Sequence, residues 1–524
     1  MRLVQSIETI LTLLGLTTAL AFVADKAKVP YPILLVVGGM GLAFVPGLPT
    51  VSLDPQLVFL FFLPPILYAA GYFTSWRDFR SNIVSITLLA VGLVVATTLA
   101  VAAVVVALVP GVPWTAALVL GAVVSPPDAV AATAIARRVR LPRQIVTILE
   151  GESLVNDATG LVLLKFASAA IVTGHLAVLP GVAEFCVMVV GGVAVGLALG
   201  WLFAQAQRFL DDTILMTTAS LLVSFVVYIA AEHIHVSGVL ATVTAGVVQG
   251  RYGPWILSSQ ARIEGTTVWA TVIFLLNALV FVLIGLQLPV VLRTLDWPWP
   301  VVVDGIFATF GTMVVVRLAW MFPGAYLPRF LFPKYRARHP YPSWQAVAVV
   351  GWAGMRGVVS LAAALSLPLV LADGRPFPAR SLIIFITFAV ILGTLVFQGL
   401  TLAPLVGWLR IEEDRSGEVE EHGARVALAE AALAHLDETM DARNLQAHQV
   451  HNVRQEYAQR LRSLKGLEAD GPAHAPLALS RELRRTAIEA QRRQLLKLRD
   501  QEVIGDDVLH RLQHELDLED VRMR

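Results

Sequence analysis

Among the charged side chains inside long apolar runs, Asp128, Glu152, Asp157 and Arg356 are the most specific. A charge in mid-membrane costs about 2.5–3.5 kcal/mol on insertion scales, so each needs a partner or an aqueous cavity, and its position points to function. Asp128 lies in GAVVSPPDAVAATAIA, directly after Ser125, Pro126 and Pro127. Adjacent prolines remove two backbone donors and break a helix, freeing carbonyls that only protein or water can satisfy. A plain proline kink with the aspartate facing a loop is the competing reading, and the depth of Asp128 in its run weighs against it.

The next run carries Glu150, Glu152, Ser153, Asn156 and Asp157 within eight residues. Spacings of three and four put Ser153, Asn156 and Asp157 on one helical face, with Glu152 on an adjacent one. Glu150 suits a solvated interface. Asp157 follows the basic loop at 137–143 by fourteen residues, which at about 1.5 Å rise per residue places it well inside the bilayer. Arg356 sits among Gly351, Gly354 and Gly357 in AVAVVGWAGMRGVVSLAAALSLP. Glycines permit unwinding and close approach, and a mid-span arginine calls for a carboxylate, Glu152 or Asp128, or a set of free carbonyls. Arg317, Lys165 and Glu184 are less specific: each is placed where snorkelling or an interfacial position accounts for it.

The elements holding these groups follow from composition. The 524 residues are 56% hydrophobic with 15% charged residues and mean hydropathy +0.70, too few charges for a soluble domain. Residues 411–524 hold 40 of the 79 charges, so a membrane body precedes a charged tail. The single Cys186 rules out an internal disulfide and a thiolate metal cluster, and no cofactor is expected. A net charge of +1 excludes nucleic acid as a partner.

Runs of roughly 20 apolar residues cross about 30 Å of hydrocarbon. Thirteen candidates lie near 3–24, 30–46, 56–73, 82–109, 113–136, 144–172, 180–206, 212–232, 236–250, 265–291, 300–322, 344–371 and 381–408. The first is read as a retained helix and not a cleaved leader. With the tail inside, fifteen Lys and Arg fall in inner loops against four outside, so the positive-inside rule places the N-terminus outside and the C-terminal tail in the cytoplasm. Spans 1–6 and 8–13 then form two six-helix units of opposite topology around span 7. In each unit the fifth helix, span 5 or span 12, is the interrupted one. Matching interrupted helices in inverted halves mark the midplane site of a secondary transporter. The expected fold is an all-α polytopic membrane protein with about 13 transmembrane helices in residues 1–410 and a largely helical tail, 411–524.

At these segments the chain resembles monovalent cation/proton antiporters of the sodium/proton exchanger type, the thirteen-helix bacterial and archaeal members above all. The strings are LPPILYAAGYF at 63–73, SPPDAVAATAI at 125–135, EGESLVNDA at 150–158 and GMRGVVSLA at 354–362. The resemblance implies a homodimer in the cell membrane that exchanges Na+, or Li+ or K+, for H+. It implies Asp157 as the carboxylate that binds cation and proton in turn, Asn156 as its neighbour, and Ser153, Asp128 and the Pro127 carbonyl as further ligands of the transported metal ion. It also implies a structural ion pair of Glu152 with Arg356, and, from Asn-Asp in place of Asp-Asp, electroneutral exchange. The chain departs from the family's pattern at Pro127-Asp128-Ala129, where Thr-Asp-Pro is frequent, and at Ala69 and Asn277, where acids are frequent.

Burial disfavours a bare carboxylate and a bound cation favours it, so one site can hold a cation or a proton but not both, and that competition is exchange. Two other functions share parts of this pattern. An intramembrane aspartyl protease would use Asp128 and Asp157, but Asp157 lies in Leu-Val-Asn-Asp and not in the Gly-x-Gly-Asp of such enzymes. A cation channel would need a repeated filter loop, which the sequence lacks. In the tail, 418–468 and 480–500 read as helices joined by a linker at 469–476, with Ser480 as an N-cap. Seven of the eleven histidines lie there. Solvated side chains are the ordinary account of them, and pH sensing the alternative.

Overall fold

The computed structural model describes residues 2–27, 29–45, 53–138, 141–174, 178–338, 341–371, 374–411, 416–443 and 447–465, with a few isolated positions beyond 490. The chain divides into two compact units, Met1–Asp414 and Arg415–Arg524. Among the described residues of the first unit regular structure is helical, with one isolated β-bridge between Val370 and Pro376.

In chain order the helices are α1 Arg2–Lys26, α2 Tyr31–Leu42, α3 Pro55–Phe73, α4 Ile83–Leu108, α5 Trp114–Val124, α6 Ala129–Arg138, α7 Arg143–Thr173, α8 Val178–Gln207, α9 Thr213–His233, α10 Gly238–Ile256, α11 Ser259–Leu286, α12 Trp299–Leu331, α13 Trp344–Trp352, α14 Val358–Leu365 and α15 Arg380–Trp408. Among the described residues eight stretches are long and apolar enough to cross a membrane: α3, α4, α7, α8, α9, α11 with its short continuation to Arg293, α12 and α15. The chain is a multi-pass α-helical membrane protein. The count of thirteen read from the sequence differs from eight in part because α2 is only 12 residues long and the runs at 113–136 and 344–371 are each two short helices around a break. Turns of π-helix interrupt α3 at Val58–Phe62, α4 at Leu88–Leu93 and α15 at Thr394–Gln398, a local widening frequent at functional sites.

Small residues set the helix spacing, as they must where lipid offers no hydrophobic drive for helices to associate. A Cβ at Gly246 of α10 would fall on the Tyr68 carbonyl oxygen of α3, and one at Gly285 of α11 on the Val36 carbonyl oxygen of α2. Gly246→Val is expected to lower stability by about 1–3 kcal/mol through forced separation of α3 and α10. Thermal unfolding in detergent checks this, and an unchanged transition would mean the helices part without cost.

The second unit contains helices Ser416–Arg443 and Ala447–Leu464. Arg454 bonds Asp437 at 2.8 Å and Lys465 meets Glu430 at 2.6 Å. The Arg454 guanidinium holds the Asp437 carboxyl below the usual carboxylate range. The linker at 469–476, Ser480 and nearly all of 480–500 lie outside the described residues.

Candidate functional site

The Pro-Pro pair ends α5 at Val124 and leaves Ser125–Asp128 non-helical before α6 begins. The glycine-rich string ends α13 at Trp352 and leaves Ala353–Gly357 non-helical before α14. The two breaks meet: the Asp128 backbone N–H donates to the Met355 carbonyl at 2.8 Å. Each break exposes carbonyls that a helix would have satisfied, and side chains from neighbouring helices take them up. Asn156 Nδ2 donates to the Pro127 carbonyl at 2.7 Å, and an Arg356 terminal N–H donates to the Ser125 carbonyl. The Arg356 backbone N–H in turn donates to Thr394 Oγ1 at 3.1 Å, on the π-helical turn of α15. The Thr98 and Ser125 hydroxyls lie 3.2 Å apart behind the first break.

Asp128 terminates this crossing in two ways. Its Oδ1 accepts from the Val130 N–H at 2.8 Å, which makes it the N-cap of α6. Its Oδ2 lies so close to Gly357 that a Cβ there would overlap it. Gly357→Ala is therefore expected to push the Asp128 carboxylate off its cap and to cut exchange sharply while the rest of the bundle folds. Exchange in vesicles together with thermal unfolding measures both, and parent-level exchange would contradict the contact.

Asp157 lies on α7, 8% exposed. It borders a small cavity whose other walls include Pro126 at the first break and Val359, Ser360 and Ala363 of α14. Asp128 is within electrostatic range of it. Ser153 stands one turn earlier on α7 and is half-buried. Gly160, one turn later, has Pro126 where a Cβ would go, so the break can lie directly against α7. The structure thus joins Asn156 to Pro127 and brings the Asp128 break over the helix that carries Asp157.

The ion pair expected between Glu152 and Arg356 is not formed. Glu152 pairs with Arg317 of α12, at 2.7 Å from Nη1 to Oε1 and 2.9 Å from Nη2 to Oε2. Arg317 also donates to the Gly351 and Val350 carbonyls at 3.2 Å each, the last turn of α13. Arg356 takes the other course open to a buried arginine and caps a freed carbonyl. Arg317 does not snorkel, because α12 continues fourteen residues past it, to Leu331. Its side chain, Glu152 and Arg356 are all at most 2% exposed. Ser360 was also missed: a serine in an apolar helix carries no charge to flag it, although the string GMRGVVSLA contains it. Among the described residues no group of three His, Cys, Asp or Glu could hold a metal ion.

Two broken helices that cross beside a buried carboxylate, inside a multi-pass helical bundle, are the pattern of a secondary transporter. Residues 10–408 match the family described as sodium/hydrogen exchanger, transmembrane, and the chain belongs to that family. An uncharacterized Na(+)/H(+) exchanger of Mycobacterium bovis is 34% identical over 99% of this chain and 97% of its own length. A sodium, potassium, lithium and rubidium/H(+) antiporter of Bacillus pumilus is 32% identical over 94% of this chain and 74% of its own length. The fold is similar to that of the sodium proton antiporter MjNhaP1 from Methanocaldococcus jannaschii, with TM-score 0.62 at 18% identity, over 79% of this chain and 100% of that one. These relatives are transporters, not enzymes.

Proposed function

We propose that the chain is a secondary antiporter that exchanges one monovalent cation for one H+ across the cell membrane, with Na+ the first candidate and Li+ or K+ next. Family membership supports cation/proton antiport, and the observation that carries the finer reading is the Asp157 carboxylate beside a cavity at the crossing of two helix breaks. With Asp157 ionised, a dehydrated cation draws oxygens from that carboxylate, from Ser153 and Ser360, from Asp128 and from the Pro127 carbonyl, with water completing its shell. With Asp157 protonated the cation has no counter-charge and leaves. Alternating exposure of the site to the two sides converts this competition into exchange. Asn156 acts as a positioning residue, holding the break over α7 through Pro127. The N-terminus lies outside, the tail is cytoplasmic, and the working form is a homodimer.

Proteoliposomes loaded with a pH indicator test this with imposed Na+, Li+ and K+ gradients, each at clamped and free membrane potential. Cation entry matched by H+ exit, at a rate independent of potential, is expected for at least one of the three. A rate that follows the potential would overturn the one-for-one stoichiometry, and cation flux without H+ movement would favour the channel reading.

A further inference from the structure

The cavity beside Asp157 is poor in polar groups. Val123, Pro126, Leu161, Leu164 and Val359 give it apolar walls, and the polar side chains among its described lining are those of Asp157 and Ser360. Along α7 it runs from Asp157 past Gly160 and Leu161 to Leu164, away from Ser153. Ser360 is 2% exposed and is the third residue of α14. Among the described residues no hydrogen bond takes up its hydroxyl, whereas Ser366, just past the end of the same helix, donates to the Ala363 carbonyl at 2.8 Å. A buried hydroxyl without a partner costs free energy, which an occupant of the cavity recovers. The position of Ser360 is also fixed. The Arg356 N–H just before α14 is tied to Thr394, and the Met355 carbonyl to the Asp128 N–H. On the facing wall Gly160 lets Pro126 lie against α7, since a Cβ there would fall 2.9 Å from the proline ring. Between cations of equal charge, cavity size, ligand number and rigidity decide.

We propose that Ser360 selects among monovalent cations at this site, favouring Na+ and Li+ over K+. The inference rests on the antiport reading above and adds the choice of cation to it. A smaller cation holds its water more tightly, so it depends more on each oxygen that replaces that water in the cavity. The apolar side chains supply none. The Asp157 carboxylate attracts every monovalent cation by the same charge, and the Ser360 hydroxyl supplies the difference between them.

The test uses the full chain in proteoliposomes, with exchange followed over a concentration series of Na+, Li+ and K+ at constant ionic strength, and thermal unfolding in detergent with the same three salts as a second readout. For the parent, Na+ and Li+ are expected to half-saturate exchange at lower concentration than K+ and to raise the unfolding temperature more. Ser360→Ala should raise the half-saturating concentration of Na+ and Li+ by about tenfold, the loss of one interaction with a charge, and that of K+ much less, so that the preference narrows. Ser360→Thr keeps the hydroxyl and adds a methyl to the cavity, and it should keep the preference while weakening K+ further. A parent that prefers K+, an alanine variant with the parent's ratios, or one in which all three cations weaken equally would each overturn the proposal. Should the alanine variant not fold, a threonine variant that handles K+ as well as the parent does would overturn it. A parent that exchanges none of the three cations would instead defeat the antiport reading and this inference with it.

Discussion

Vesicles containing Asp157→Asn are expected to exchange cations for protons no faster than empty vesicles, with the protein folded and fully incorporated. Asparagine is isosteric with aspartate, so packing around the cavity is kept while the carboxylate that borders it, able to carry negative charge or a proton, is lost. Both guests lose their host at once, which distinguishes this substitution from one that merely weakens cation affinity and is rescued by raising the cation concentration. Asp157→Glu keeps a titratable group but moves it by a methylene, and partial activity is its expected result. Asp128→Asn provides the internal contrast. Asparagine caps a helix about as well as aspartate, so α6 should remain capped through the Val130 N–H, and any loss of exchange then measures the Asp128 charge and not its structural part. Exchange at the parent rate in Asp157→Asn would remove the carboxylate from the mechanism.

What could be read from the sequence followed the cost of each feature. A proline pair inside an apolar run and a glycine-flanked arginine are expensive in lipid, so both helix breaks were visible, and the structure puts them at Ser125–Asp128 and Ala353–Gly357. Asp157 stood out for the same reason. Partner choice was harder to see. Arg356 had two acceptable solutions, a carboxylate or a freed carbonyl, and spacing along one chain does not choose between them; the structure takes the Ser125 carbonyl. Arg317 was misjudged because the apolar run was ended at 322, just before Pro323. The helix runs through both Pro323 and Pro328, which a membrane helix tolerates when neighbours satisfy the freed groups. Ser360 and the Asn156 tether to Pro127 cost nothing detectable in the sequence, and only their neighbours in space reveal them.

The pairing of Glu152 with Arg317 predicts the largest effect on folding. Both groups are buried, the contact is a two-pronged fork, and the same guanidinium holds the last carbonyls of α13. Removing one member leaves the other as an uncompensated buried charge, a loss of about 3–5 kcal/mol. Arg317→Ala should lose most, because it also abandons the α13 carbonyls beside the second break. Glu152→Gln keeps an acceptor for one N–H but no charge. Arg317→Lys keeps the charge without the fork and should fall between parent and alanine. The decisive comparison is Glu152→Gln with Arg317→Met, in which neither member of the pair carries a charge. If the pair acts through charge compensation, the double variant should be more stable than Arg317→Met alone, although still below the parent because Met cannot donate to Gly351 and Val350. Thermal unfolding in detergent gives the stabilities, and exchange in vesicles, measured on the variants that fold, separates scaffold from transport. A double variant no more stable than Arg317→Met would place the energy in the carbonyl contacts, and single variants as stable as the parent would show that the fork carries none of it.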